Sequence, residues 1–249
     1  MSLLEDQYRD DSNLQARIAL HALYSTNPEG WFDWLWAREA PAPGARVLEV
    51  GCGPAEMWKE NLDRLDPTVS LTLSDFSPGM IEAARRVAGD RAAYVVADVQ
   101  ELPFGDESFD VLIANHMLYH VPDRPKAFAE FVRVLAPGGL LHAATNGHGH
   151  MRELQELVPT WRFSHHTQEF GLETGVEQLS RFFADVRVDW FEDHLDVTDV
   201  QPVLAYIRSS ETYRGHDLEP ARRAVEAALA RQGVFRITKR HGVISARKP

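Results

Sequence analysis

A short apolar strand that runs straight into a glycine turn, Arg46-Val47-Leu48-Glu49-Val50 followed by Gly51-Cys52-Gly53, is the feature that most restricts the fold of this chain. Glycine at both positions lets the backbone turn tightly and lets a ligand come close to the main chain. Pro54 suits the first turn of a helix, predicted to run to about residue 65. The unit then recurs. Residues 69–74 read as a second strand, Ser77-Pro78 as a helix start, and 79–88 as a helix closed by Gly89. Residues 92–97 and 109–114 are a third and a fourth strand. In residues 124–135, Phe128, Phe131, Val132 and Leu135 recur at helical spacing, and Pro137-Gly138-Gly139 opens a fifth strand at 140–145. This alternation predicts a doubly wound α/β fold, with a parallel sheet and right-handed crossovers. Ligands of such sheets lie at the carboxyl ends of the strands, which singles out the loops 51–56, 75–80, 98–103 and 115–121.

Two regions lie outside the repeat. Residues 1–45 read as an N-terminal helical arm, with a helix from about 11 to 24 and the aromatic run Trp31-Phe32-Asp33-Trp34-Leu35-Trp36. Within the remaining domain, 46–249, residues 151–240 read as a helical cap insertion. It holds helices near 151–158, 198–209 and 219–232 and a strand near 186–191, and residues 242–246 are a closing strand.

The glycine turn discriminates between ligands. A dinucleotide fingerprint needs a third glycine three places after the second, and that position here is Glu56, whose charge opposes a pyrophosphate. Pro54 also removes an amide that would otherwise bind the anion. The site therefore suits a nucleoside without phosphates. Asp75, closing the second strand, can accept hydrogen bonds from both ribose hydroxyls, and Asp98, closing the third, from an exocyclic adenine amine. S-adenosylmethionine has ribose, adenine, a sulfonium cation and an amino-acid tail, and the acidic Glu49, Asp75 and Asp98 favour such a cation.

These residues carry a family resemblance. Val47-Leu48-Glu49-Val50-Gly51-Cys52-Gly53-Pro54 resembles the first motif of class I S-adenosylmethionine-dependent methyltransferases of the small-molecule type, and Leu73-Ser74-Asp75-Phe76-Ser77-Pro78-Gly79-Met80 resembles the second. Val96-Ala97-Asp98-Val99-Gln100-Glu101-Leu102-Pro103-Phe104 is similar to the third, the stretch from Phe109 to His120 to the fourth, and Leu135-Ala136-Pro137-Gly138-Gly139 completes the set. The resemblance implies a Rossmann-like sheet of seven strands, the last antiparallel, with residues 186–191 and 242–246 as the closing pair. It implies that the loop Gly51, Cys52 and Gly53 lies under the methionine part of the cofactor and that Asp75 binds the ribose, with Glu49 a further cofactor-binding candidate. Phe76 and Met80 would flank the adenine, Asp98, Val99 and Gln100 would meet its edge, and Asn115 and His116 would stand near the sulfonium and the acceptor. Tyr24-Ser25-Thr26-Asn27 resembles a segment that covers the cofactor in some members, which makes Tyr24 or Asn27 a candidate contact.

Methyl transfer is an in-line displacement, and a base is needed only when the acceptor must lose a proton. His116, Tyr119 and His120 are the candidates for that role. The histidines His142, His148, His150, His165 and His166 lack the i, i+4 spacing with a glutamate that marks a zinc helix, so no metal is expected and polar loops account for them. Phe182, Phe183, Trp161 and Phe163 suggest a partly apolar acceptor. With 37 acidic against 26 basic side chains, the net charge of -11 argues against nucleic acid and anionic membranes as partners. The single cysteine, Cys52, fits a reducing compartment. The charged N-terminus and the lack of any apolar run near membrane-spanning length fit a cytoplasmic protein, and a monomer or homodimer is expected. A nucleotide-dependent oxidoreductase and a non-catalytic cofactor-binding sensor or scaffold are the rival readings.

Overall fold

A computed structural model describes residues 12–158, 169–209, 215 and 217–249. In chain order the elements are α1 (Ser12–Tyr24), α2 (Trp31–Glu39), β1 (Arg46–Val50), α3 (Glu56–Asn61), β2 (Ser70–Asp75), α4 (Pro78–Ala88), β3 (Ala92–Val96) and β4 (Phe109–Ile113). They continue with α5 (Arg124–Val134), β5 (Leu135–Asn146), α6 (Arg152–Leu157), α7 (Leu172–Leu179), β6 (Ala184–Val197), α8 (Val200–Arg208), α9 (Glu219–Gln232) and β7 (Phe235–Arg247). The strands form one seven-stranded sheet in the order β3-β2-β1-β4-β5-β7-β6. The pairs β1–β2, β1–β4, β2–β3 and β4–β5 are parallel, and β5–β7 is antiparallel, Leu140 facing Arg247 and Asn146 facing His241. The expected doubly wound sheet with an antiparallel last strand is present.

The chain divides into two compact units. One comprises Trp31–His148, His166–Phe191 and His241–Pro249, and the other Met1–Gly30, Gly149–His165 and Glu192–Arg240. In the first, the centre of the sheet is apolar on both faces, as parallel strands covered by helices require. Leu48, Leu112 and Leu141 pack with Phe128 and Phe131 of α5 on one side, while Val47, Leu73 and Ile113 pack with Trp58 and Ile81 on the other. Trp34 and Leu35 of α2 form a third cluster with Ala144, Phe191 and Val243. In the second unit, Leu20, Leu154, Leu195, Val203, Ile207, Val225 and Ile237 form one core.

Local chemistry sets the boundaries. Ser77 caps α4, its hydroxyl accepting from the Met80 N–H, and Gly89 ends the helix at a positive φ of 53°. The helix after the glycine turn begins at Glu56 and not at Pro54, because Ala55 adopts the left-handed conformation at φ 62°. Helix α7 was not expected; it starts after Gly171, whose N–H donates to Thr174 Oγ1 at 2.9 Å. The closing strands are longer than 186–191 and 242–246, and Gly242 permits their approach, because a Cβ there would lie 2.2 Å from Asp189 O.

Candidate functional site

The glycine turn leaves β1 with Gly51 at φ 61° and Gly53 at φ 54°. A Cβ on Gly51 would meet the Met117 Cβ and Cγ at 2.7 Å, whereas one on Gly53 would meet nothing within 4 Å. Gly51 is therefore needed for packing within the protein, and Gly53 leaves open space above the loop. Between them the Cys52 N–H donates to Ser74 O at 2.9 Å. The Cys52 thiol is buried, and that burial, with the Glu49 and Asp75 carboxylates nearby, holds its pKa well above the usual value, which makes it a poor nucleophile.

Asp75 is fastened to this turn. Its Oδ2 accepts from the Gly53 N–H at 2.9 Å and its Oδ1 from the Ser77 N–H at 2.8 Å. An ionised carboxylate offers about four acceptor positions, so a pair remains for the two hydroxyls of a ribose. Burial raises the Asp75 pKa and outweighs these amide hydrogen bonds. Next to it Phe76 is 60% exposed, an apolar plane open to a base, while Met80 is 1% exposed and belongs to the core.

Asp98 lies exposed after β3. Its Oδ1 accepts from the Gln100 N–H at 2.8 Å, and both oxygens lie 3.1 Å from Gln100 Nε2. Gln100 Oε1 accepts from the Asp123 N–H at 3.0 Å, so this side chain braces the loop against the start of α5. Val99 is half-buried against the main core.

After β4 the backbone stays tied to β5: the Ala114 N–H donates to His142 O and the His116 N–H to Ala144 O, both at 2.8 Å. Asn115 Oδ1 accepts from the Ala144 N–H at 3.2 Å. His116 sits at φ 55°, an uncommon conformation for a residue with a Cβ. Its ring lies 5.7 Å from that of Trp31 and 6.4 Å from that of His241, and Trp31 stacks on His241 at 4.0 Å. Tyr119 and His120 share the single 3-10 turn Leu118–His120, with their rings 4.6 Å apart. Asn115, His116, Tyr119 and His120 thus share one loop after β4.

Two carboxyl groups of the first unit are buried, Glu49 of β1 and Glu39 of α2. Glu49 is 3% exposed and accepts from Trp58 Nε1, and burial, with the Asp75 charge adding, pushes it up to about 8. Glu39 is 1% exposed, and its Oε2 accepts from Asn115 Nδ2 at 3.0 Å. Burial, with Glu49 adding, raises it to about 8 as well. Sequence reasoning missed Glu39 and His241. Glu39 had a signal, because it continues the helical series Phe32, Leu35 and Trp36 at i, i+3, i+4 and i+7 and so shares the buried face.

The histidines differ from expectation. His142 is in β5 and not on a polar loop; it is 3% exposed, its Nδ1 lies 2.9 Å from Ser245 Oγ, and burial lowers it to about 4. His150 is buried in the second unit, where its Nδ1 accepts from the Arg240 N–H at 3.1 Å. The His148 N–H donates to Glu173 at 3.0 Å. His165, His166, Trp161 and Phe163 lie outside the described residues. Of the N-terminal candidates, Tyr24 ends α1 in the second unit, half-buried against its core. There the Asn27 amide is occupied at both ends, Nδ2 by Glu192 O at 2.9 Å and Oδ1 by the Glu29 N–H at 2.9 Å. Its side chain therefore has a structural partner for each polar atom.

The donor set fits S-adenosylmethionine. Acceptors, an exposed aromatic plane and open space over Gly53 surround the carboxyl edge of β1 to β3, with carboxylates where a pyrophosphate would need amides and cations. Residues 48–143 match the family described as Methyltransferase domain. They form a methyltransferase domain of the class I S-adenosylmethionine-dependent family.

Among the relatives, 27-O-demethylrifamycin SV methyltransferase of Amycolatopsis mediterranei is 36% identical over 191 residues, covering 72% of this chain and 64% of that protein. Malonyl-acyl-carrier-protein O-methyltransferase of Serratia marcescens is 32% identical over 123 residues, covering 48% and 44%. The chain spans about half the length of the curated relatives it matches. The solved phosphoethanolamine N-methyltransferase 2 of Haemonchus contortus, in complex with S-adenosylmethionine, shares the fold with a TM-score of 0.61 at 20% identity, covering all of this chain and 60% of that one. Among the described residues, no helix is long and apolar enough to cross a membrane.

Proposed function

We propose that this protein transfers the methyl group of S-adenosylmethionine to a small-molecule acceptor. The observation that carries the reading is the Asp75 carboxylate, held by the N–H groups of Gly53 and Ser77 beside the exposed Phe76. Fixing a carboxylate before the ligand arrives lowers the ordering cost of binding a diol. When bound, the cofactor supplies a methyl group already activated by positive sulfur. Asp75 would hold the ribose, Phe76 would cover one face of the adenine, and Asp98, with its orientation set by Gln100, would meet the base edge. In this reading Met80, 1% exposed, and half-buried Val99 would lie beside the adenine.

The chain's remaining task is to align an acceptor and exclude water. Half-buried Trp31, stacked on His241 beside His116, offers an apolar wall for it. Where the acceptor must shed a proton, His116 or His120 would take it, with Tyr119 positioned against His120. Incubation with methyl-labelled S-adenosylmethionine and metabolite fractions tests the reading. It predicts label in a small organic product, and label that stays in the cofactor across all fractions contradicts it. Tyr24→Phe tests the N-terminal candidate: unchanged affinity for S-adenosylhomocysteine removes it.

A further inference from the structure

The Glu39 side chain is not used by the reading above, yet its surroundings are unusual. It belongs to the last turn of α2, is 1% exposed, and has Oε2 bonded to Asn115 Nδ2 at 3.0 Å. Its Oε1 is buried without a hydrogen-bond partner among the described residues. Leaving a buried carboxylate oxygen unsatisfied costs more free energy than a typical hydrogen bond returns, so a group kept this way invites a functional account.

The groups facing it do not neutralise it. Glu49 of β1 is the neighbouring acid and itself faces Asp75 of β2. His142 of β5 lines the same cavity of about 440 Å³ as Glu39, but its burial keeps it uncharged near neutral pH. Arg38, next in sequence, lines the same cavity, but its Nη1 donates to Trp34 O, its guanidinium lies 3.7 Å from the Trp34 ring centre, and its Nε is buried without a partner among the described residues. Further along the cavity wall Asp110 is paired with Arg46 at 2.8 Å, and Arg247 donates to Gly138 O at 2.7 Å. Among the described residues no cation is bonded to Glu39, whose Oε2 is held by Asn115 in the loop after β4, and Glu49 stands in β1 two residues before Gly51.

We propose that Glu39 determines specificity for the methyl donor over its demethylated product: with Glu49 it forms a buried carboxyl pair that releases a proton to solvent when a cationic sulfonium arrives and recovers it when the neutral thioether remains. The inference rests on the cofactor reading above. Two carboxyl groups sharing a dry site cannot both ionise cheaply, and a positive ligand charge in that low-dielectric region shifts the balance toward ionisation. Glu39 acts through its position and through Asn115, not on the reacting atoms. The arrangement favours exchange of spent for fresh cofactor, because only the fresh one carries the charge that the pair attracts.

The test is calorimetry of S-adenosylmethionine and S-adenosylhomocysteine binding to the full chain, in buffers of different protonation enthalpy and between about pH 6.5 and pH 8.5. The amino-acid tail is common to both ligands, so the difference between them isolates the sulfonium. More protons are expected to be released with S-adenosylmethionine, and its affinity relative to the product is expected to rise toward tenfold per pH unit below about 8, the slope of one linked proton. Glu39→Gln keeps an acceptor for Asn115 but cannot titrate. It is expected to bind the product as the wild type does, to lose the extra proton release, and to flatten the pH profile. Equal proton release by the two ligands in the wild type overturns the proposal, even where the variant fails to fold, and so does an unaltered profile in a folded Glu39→Gln. Binding of neither ligand overturns the cofactor reading and this inference together.

Discussion

The backbone N–H of Gly53 donates to the Asp75 carboxylate at 2.9 Å, so the turn after the first strand and the acid at the end of the second are one rigid piece. Asp75→Ala is expected to remove that clamp together with the ribose acceptors. Affinity for S-adenosylhomocysteine should fall by at least about tenfold, the effect of losing one to two charge-assisted hydrogen bonds, and Asp75→Asn should fall less. Calorimetry on the folded variants checks both.

The two glycines of the turn should behave differently. Gly51→Ala puts a Cβ 2.7 Å from Met117 at a positive φ, so it is expected to lower stability by roughly 1–3 kcal/mol. Gly53→Ala meets no protein atom and carries only the backbone strain, about 1 kcal/mol. It is nevertheless expected to weaken cofactor binding, because the open space above it is where the ligand approaches. Denaturant melts beside ligand titrations separate the two outcomes, and full affinity in Gly53→Ala contradicts the placement.

Stability should depend on pH in a definite direction. Glu39 and Glu49 are raised from 4.5 to about 8 in the folded chain. The folded state therefore binds their protons more tightly, and the stability they contribute is fully present below about 4.5 and is lost as pH rises through about 8. The melting temperature is expected to decline across that window, and Glu39→Gln should flatten the decline. A melting temperature rising steadily from pH 5 to pH 8 contradicts the assignment.

A second ionic feature has the opposite sign. Lys239 and Asp193 form an ion pair whose side chains are 2% and 0% exposed, and Asp193 also accepts from Ser25 Oγ at 2.6 Å and from the Asn27 N–H at 3.1 Å. Although burial opposes it, the bonds from Lys239 and Ser25 hold the Asp193 pKa below the usual carboxylate value, so this stability is present above about 3.8 and is lost as pH falls. Lys239→Met strands a buried carboxylate and is expected to cost about 3–5 kcal/mol. Chemical denaturation at neutral pH measures it.

Much of the sheet was legible because its signals are local. Strand β1 with its glycine turn, the Ser77-Pro78 helix start and the spacing of Phe128 and Phe131 each point to one structure without help from distant residues. Asp75 and Asp98 were legible for the same reason, as acids closing predicted strands. Glu39, His142 and His241 were not, since their burial is created by partners far away in sequence: Asn115 for Glu39, Ser245 for His142 and Trp31 for His241. Asn27 read as a cofactor contact by resemblance, but its amide is occupied by Glu192 and Glu29, and the β6 residue Glu192 lies more than 160 residues away. Ala55 shows the limit from the other side: a good helix former is held left-handed, because the chain must turn before α3 can begin.

The most direct measurement is a calorimetric titration of the purified protein with S-adenosylhomocysteine and, separately, with NAD. The account predicts saturable binding of the former at one site per chain and no measurable uptake of the latter. Saturable binding of NAD without binding of S-adenosylhomocysteine would contradict it.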